Sequence, residues 1–296
     1  MADSPQEKGG SAPTGEPARA VGADAAPADG GHALYLSLMS KRLMGSDDPR
    51  AMLEQALHGD QFLLLAQKIV AVKSGVSEPQ CYEVLLRLRQ EEENLLPPGG
   101  FLDLADSLGM MEALDRWVIH ALVSWAAARL KQRPAERLPM MCVNVSQAAL
   151  DNPEFAELVL SELDRSGYPR RALCFEIDER DLIERHAAVQ RFVAAVKPEC
   201  RIMVDNFGGV RVSFSHLAGL SIDFLKIDGT IVQNIHRDPT DLIKAWAINL
   251  ACQKVGMRTV AKFVETRETL DMVREIEIVY VQGFGIARPA PITSIA

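Results

Sequence analysis

The sequence is poor in several features, and each shortage removes a class of function. Aromatic residues make up only 6% of the 296 residues. No apolar run approaches the ~20 residues that span a bilayer, and no basic-then-apolar leader opens the chain. The expectation is therefore a cytoplasmic protein with no membrane partner. Positive charge is also scarce: 32 Lys and Arg stand against 40 Asp and Glu, a formal net charge of −8. That balance argues against a nucleic-acid polymer as a partner, although a small local basic site is compatible with it. The five cysteines (Cys81, Cys142, Cys174, Cys200, Cys252) are odd in number, widely spaced and without a CxxC pair. They read as buried reduced thiols and not as a disulfide framework. The six histidines form no HxxxH or HExxH pair, which removes a zinc hydrolase. No GxGxxG follows a strand-like run and no GxSxG occurs, so dinucleotide-binding and serine-hydrolase motifs are missing too.

What remains is a chain of globular balance, 48% hydrophobic and 24% charged. Residues 1–33 contain no Leu, Ile, Phe, Tyr or Trp and cannot bury enough apolar surface to offset their ordering entropy. They are expected to form a disordered tail, with residues 34–296 as one folded domain of the size typical for a (β/α)8 barrel. Short apolar runs then recur at 62–70, 81–88, 140–145, 173–178, 202–207, 224–228, 258–264 and 278–283. Their length and continuity suit strands buried on both faces. Helical periods separate them: Leu182, Val189, Phe192, Val193 and Val196 share one face, as do Leu242, Ile243, Trp246 and Leu250. Eight strands with intervening helices favour an α/β barrel over an open doubly wound sheet.

Barrels of this kind carry their chemistry at the carboxyl ends of the strands. Here those ends are polar: Glu83 and Arg87, Asn144, Glu176 with Asp178 and Glu179, Asp205 and Asn206, Lys226 and Asp228, Lys262 and Glu265, and Gln282. A single charge in an apolar run is often a satisfied core pair. Seven successive strands doing the same point to a shared mouth. Carboxylates, amides and lysine together suit a hard cation and a phosphate. Lys226 as a Schiff-base lysine is the alternative barrel chemistry, but it leaves the surrounding acids without a task.

These residues resemble the EAL domains, bacterial cyclic di-GMP phosphodiesterases and their inactive relatives. The family tripeptide is matched by Glu83-Val84-Leu85 within Glu83-Val84-Leu85-Leu86-Arg87. Gln67, Asp115-Arg116-Trp117-Val118, Asn144-Val145-Ser146, Glu176-Ile177-Asp178-Glu179, Lys226-Ile227-Asp228, Gln282-Gly283-Phe284 and Arg288-Pro289-Ala290-Pro291 follow in family order. The resemblance covers roughly residues 50–292. It implies a modified (β/α)8 barrel whose first strand runs antiparallel. It also implies two divalent cations, Mg²⁺ or Mn²⁺, in active members. Metal ligands would fall on Glu83, Asn144, Glu176, Asp205 and Gln282, with Lys226 near the attacking water and Glu179 steadying the loop after the fifth strand. Nucleotide contacts would fall on Gln67, Leu85, Arg87, Glu265 and Phe284.

Two departures strike the implied metal site. The family's Asp-Asp-Phe-Gly-Thr-Gly is here Asp205-Asn206-Phe207-Gly208-Gly209-Val210, and its Ala-Glu-Gly-Val-Glu-Thr is Ala261-Lys262-Phe263-Val264-Glu265-Thr266. Asn206 removes one negative charge and Lys262 exchanges another for a positive one. Lys68 also stands where the family has proline, and Val210-Arg211-Val212 replaces the loop's Gly-Tyr-Ser. The expectation is a degenerate member with hydrolysis absent or very slow. It would bind cyclic di-GMP without a cofactor, through Asp205 and Lys262 among others, and signal to a protein effector. A nucleotide-independent interaction domain and a weak Mg²⁺- or Mn²⁺-dependent phosphodiesterase are the alternatives. The resemblance also leaves a homodimer open as an assembly.

Overall fold

The computed structural model describes residues 48–59, 61–72, 80–89, 100–133, 137–197 and 199–295. The expected tail over 1–33, and the start of the folded domain at 34, lie outside these residues. Helix α1 (Pro49–His58) is capped by Asp48, whose carboxylate accepts the Ala51 N–H at 3.0 Å. Strands β1 (Phe62–Ala71) and β2 (Cys81–Leu88) then pair antiparallel with Gln67 opposite Glu83. Helices α2 (Gly100–Ser107) and α3 (Met111–Gln132) lead into β3 (Met140–Asn144).

From β3 the chain winds regularly. Helices α4 (Gln147–Asp151) and α5 (Phe155–Ser166) precede β4 (Leu173–Asp178), and α6 (Glu179–Glu184) with α7 (His186–Val196) precede β5 (Arg201–Phe207). Strand β6 (Phe224–Ile227), helices α8 (Gly229–Val232) and α9 (Pro239–Lys254), β7 (Arg258–Ala261), α10 (Arg267–Glu275) and β8 (Tyr280–Val281) complete the circuit. The sheet runs β2-β3-β4-β5-β6-β7-β8-β1 and closes through β1 on β2. Neighbours from β2 to β8 are parallel, while β1 is antiparallel to both of its neighbours. The modified barrel implied by the resemblance is thus the fold observed.

Burial explains the continuous apolar runs. Every residue of Leu173–Ile177 and of Phe224–Ile227 is buried, one side chain toward the helices and the next into the barrel. Inside, Ile69, Cys81, Met140, Cys142, Cys174, Met203, Phe224, Val260 and Tyr280 fill the lower layer. All five cysteines are buried free thiols, with Cys81 and Cys142 sulfurs 3.6 Å apart. Above this floor the inward side chains turn polar, and that layer is the site.

The structure departs from the sequence reading in four places. The run over 258–264 leaves the sheet after Ala261, because Phe263 takes a left-handed φ of 58°. The run over 278–283 pairs only at Tyr280–Val281. A ninth strand, β9 (Ala290–Pro291), pairs with β1, too short and too proline-bound to be read from periodicity. Finally, of the apolar face of α9 read from sequence only Leu242 packs against the core, and Ile243, Trp246 and Leu250 are turned outward. The helix buries Ala245, Ile248, Asn249 and Cys252 and exposes Ile243, Trp246 and Leu250. It can do so because Asn249 is satisfied inside: its amide donates to the Ile276 carbonyl at 2.7 Å and its oxygen accepts from Thr259 Oγ1 at 2.5 Å.

Candidate functional site: the barrel mouth

Lys226 is the centre of the mouth. It is 1% exposed, and its ammonium donates to Glu176 Oε2 at 2.5 Å and to Glu83 Oε2 at 2.8 Å. Burial alone would discharge it, but the charges of Glu176, Glu83 and Asp205 hold its pKa well above the ordinary lysine value. The two glutamates share this cation unequally. Burial works against the Glu83 carboxylate, yet Lys226 and hydrogen bonds from Gln282 (2.6 Å) and Asn144 (3.2 Å) outweigh it and bring its pKa to about 2. Glu176, more deeply enclosed and facing the charge of Glu83, is pushed well above the usual carboxylate range. Its Oε1 is buried without a hydrogen-bond partner.

A second lysine sits beside the first group. Lys262 Nζ donates to Asp205 at 3.0 and 3.2 Å and also to Asn206 Oδ1. Asn206 has a left-handed φ of 58°, a conformation asparagine tolerates, and its amide donates to Asp178 Oδ2 at 2.6 Å. Asp178 in turn caps α6 through the Arg180 N–H at 2.8 Å. Beyond Asn206 the loop is fastened from below. Gly208 N–H donates to Glu179 Oε2 at 3.0 Å, and His216 Nε2 lies 3.2 Å from Glu179 Oε1. Burial, with the nearby Asp178 and Asp228, raises the Glu179 pKa to about 6 against the Gly208 hydrogen bond.

Over this polar layer opens a cleft of about 220 Å³. Gln67, Glu83, Leu85, Asp205, Lys226, Lys262, Glu265, Gln282 and Phe284 all line it. Gln67 is pinned by donating to the Ala287 carbonyl at 3.0 Å and accepting from Gln282 at 3.1 Å. Phe284 is 57% exposed, with the Arg288 guanidinium 5.5 Å from its ring centre. Glu176 lies beneath the cleft and Glu179 under the loop. Arg87 is placed elsewhere: it lines an adjoining groove of about 190 Å³ with Asn144 and Asp115, and Leu85 separates the two hollows.

Three participants were not assigned roles from sequence. Phe263 lines the cleft, is 49% exposed, and holds the Lys262 ammonium 5.8 Å from its ring centre. Its ring lies so close over Gly229 that a Cβ there would stand 2.2 Å from Cδ2. A sequence signal was available, since Phe263 occupies a glycine position of the family pattern; its left-handed φ of 58° is seen only in the structure. Asp178 was marked only as a polar strand end and part of a motif, and His216 carried no signal, because their contacts with Asn206 and Glu179 join residues distant in sequence.

The donor set does not fit a pair of divalent cations. Glu176 Oε1 is buried without a partner near Glu83, leaving one ligand atom free. Beside Asp205 and Asn206 the Lys262 ammonium already takes the acceptors a second cation would need. Among the described residues no group of three or more His, Cys, Asp or Glu side chains is arranged to hold a metal ion.

A closed sheet of parallel strands with polar side chains gathered at one mouth defines the class of α/β barrels. The chain belongs to the EAL domain family, whose model matches residues 50–289. It is 30% identical over 243 residues to cyclic di-GMP phosphodiesterase PdeB of Shewanella oneidensis, covering 81% of this chain and 28% of the relative. It is 31% identical over 242 residues to cyclic di-GMP phosphodiesterase PdeF of Escherichia coli, covering 81% of this chain and 31% of that protein. The chain therefore spans less than a third of the length of these relatives. Among solved structures, the FimX EAL domain from Pseudomonas aeruginosa bound to c-di-GMP superposes with a TM-score of 0.74 at 26% identity, covering 82% of this chain and 96% of that one. No helix of the described residues is long and apolar enough to cross a membrane.

The adjoining groove gives a pH test. Burial pushes the Asp115 pKa up to about 7, against its hydrogen bond from the Ser146 N–H at 3.1 Å. A raised acid binds its proton more tightly in the folded chain, so its contribution to stability falls as pH rises from about 4 to 7. Asp115→Asn keeps the hydrogen bond and removes the titration. Urea unfolding should show the variant gaining on the parent across that window, by on the order of 2–4 kcal/mol. A difference that stays constant with pH contradicts the burial account.

Proposed function

We propose that this EAL domain is a catalytically impaired receptor for cyclic di-GMP, binding it without a metal pair and passing the signal to a protein effector. The observation that carries the reading is Lys262, whose ammonium rests on Asp205 and Asn206. The ion-paired cluster at the mouth joins three acids (Glu83, Glu176, Asp205) to two ammoniums (Lys226, Lys262), so it carries at most a single negative charge, with Glu265 a further acid on the cleft wall. With the two acids of the family pattern at 206 and 262 the same cluster would carry four, the charge a pair of divalent cations offsets. Here such a pair would leave a strong positive excess, at about 4 kcal/mol per unit pair at ~4 Å and an effective dielectric of ~20. Hydrolysis that depends on the pair is correspondingly disfavoured.

The same change favours an anionic ligand. Lys262 offers a phosphate a cation fixed to the chain. Leu85, Gln67 and Glu265 remain at the cleft wall, and Phe284 and Phe263 present two exposed aromatic rings to one opening. Holding a phenylalanine in the left-handed region costs about 1–2 kcal/mol. A base stacked on that ring supplies a reason for the strain. Arg87 lies one residue-width away, across Leu85, where an extended dinucleotide would reach it.

Calorimetric titration of cyclic di-GMP with a chelator present tests the reading. The parent should give saturable heat. Lys262→Glu should lose at least about tenfold in affinity, 1.4 kcal/mol. Phe263→Gly should weaken binding by about 1–3 kcal/mol while Phe263→Tyr retains it. Equal affinity of parent and Lys262→Glu without metal removes the role given to the lysine. Flat traces both with chelator and in Ca²⁺ overturn nucleotide binding and leave an interaction domain.

A further inference from the structure

The loop that leaves β5 hangs on one carboxylate. Gly208 turns the chain with a φ of 87°, a left-handed backbone that favours glycine, and its N–H donates to Glu179 Oε2 at 3.0 Å. Glu179 is only 2% exposed. Its other oxygen, Oε1, lies 3.2 Å from Nε2 of His216, at the far end of the same loop. Phe207 backs the imidazole, with ring centres 6.0 Å apart. Both Oε1 and Nε2 are buried, and neither has a hydrogen-bond partner among the described residues. Two such atoms at this separation lack only a proton between them.

The surrounding groups decide where a proton from solvent goes. Burial disfavours charge on both side chains. Asp178 and Asp228, which cap α6 and α8, add to this at Glu179 and bring its pKa to about 6. At His216 the charges of Arg211 on the loop and His186 on α7 work against an imidazolium. The proton therefore goes to Glu179 Oε1, which donates it to a neutral His216 Nε2.

The loop itself favours the ionised form. The Gly208 hydrogen bond and the charge of Arg211 both lower the Glu179 pKa, against the larger effect of burial. Linkage is reciprocal, so a proton on Glu179 weakens both contacts. The charge-assisted bond to Gly208 becomes a neutral one of roughly half the strength. Loop attachment is thus present above the Glu179 pKa and is lost as pH falls through about 6. Global stability follows burial of the acid and moves the other way.

We propose that Glu179 and His216 form a proton-operated clasp on the loop after β5, closed on Gly208 while Glu179 is ionised and released when Glu179 donates to His216. Asn206, which accepts from Lys262, lies two residues before Gly208, so release reaches the barrel mouth. The proposal is independent of nucleotide binding.

Amide hydrogen exchange of the full chain, corrected for the intrinsic rate at each pH, reads the clasp at Gly208 and over 209–214. Protection there should fall about tenfold from about pH 7.5 to about pH 5, while the amides of β4 stay protected. Glu179→Gln, neutral but still able to accept from Gly208, should show the lower protection at both pH values. His216→Leu removes the acceptor of the proton, so the midpoint of the change should move to lower pH. Loop protection in the parent that does not fall with pH, or that falls together with β4, overturns the proposal. So does a Glu179→Gln loop that still tightens at high pH, or a His216→Leu midpoint that stays or rises. The parent's own profile decides the matter if a variant does not fold.

Discussion

The structure turns on one buried ammonium. Lys226 is enclosed at the centre of the barrel mouth, and it remains charged only because Glu176, Glu83 and Asp205 surround it. Desolvating an unpaired charge costs several kcal/mol, so the lysine and its carboxylates must be placed together or not at all. The closed barrel does the placing. Adjacent parallel strands bring Asn144 level with Glu176 and Asp178 level with Asp205, while the antiparallel β1 sets Gln67 opposite Glu83. Gln282 then bridges the first strand pair to the last by donating to both Gln67 and Glu83.

Lys262 extends the same electrostatic logic by one side chain. It pairs with Asp205, and Asn206 reaches from that pair to Asp178 at the cap of α6. The loop leaving Asn206 is fastened to Glu179 through Gly208, so the mouth, the helix cap and the loop form one connected set. Phe263 belongs to it too, since its left-handed backbone lifts Lys262 out of the β7 ladder and its ring shelters Gly229. Charge, loop anchorage and the aromatic wall of the cleft are therefore set by neighbouring residues on two strand ends.

Much of this was legible in the sequence. Eight apolar runs marked the barrel strands, and the polar residues at their ends marked the mouth, because strand ends converge whenever a parallel sheet closes. Glu83, Asp205, Lys226, Lys262, Gln67 and Gln282 are indeed brought together. Arg87 was not placed with them, since a strand's last residues splay beyond the mouth and Leu85 intervenes. The shortened β7 and β8 were hidden because backbone sign at Phe263 and Glu277 leaves no trace in hydrophobic pattern. The outward stripe of α9 was read only as a helical face. Periodicity says that a face is apolar, and it does not say which body covers it. The contacts of His216 with Glu179 and of Asp178 with Asn206 join residues tens of positions apart, and no local signal encodes them.

The central claim is that the Lys262 ammonium stands where a second cation would otherwise sit. Mn²⁺ uptake followed by electron paramagnetic resonance tests it most directly, comparing the parent with the Asn206→Asp/Lys262→Glu double variant. The account predicts that the double variant takes up one more Mn²⁺ per chain than the parent and gains Mn²⁺-dependent cleavage of cyclic di-GMP. A parent that binds a full pair of Mn²⁺ ions as tightly as the double variant would contradict it.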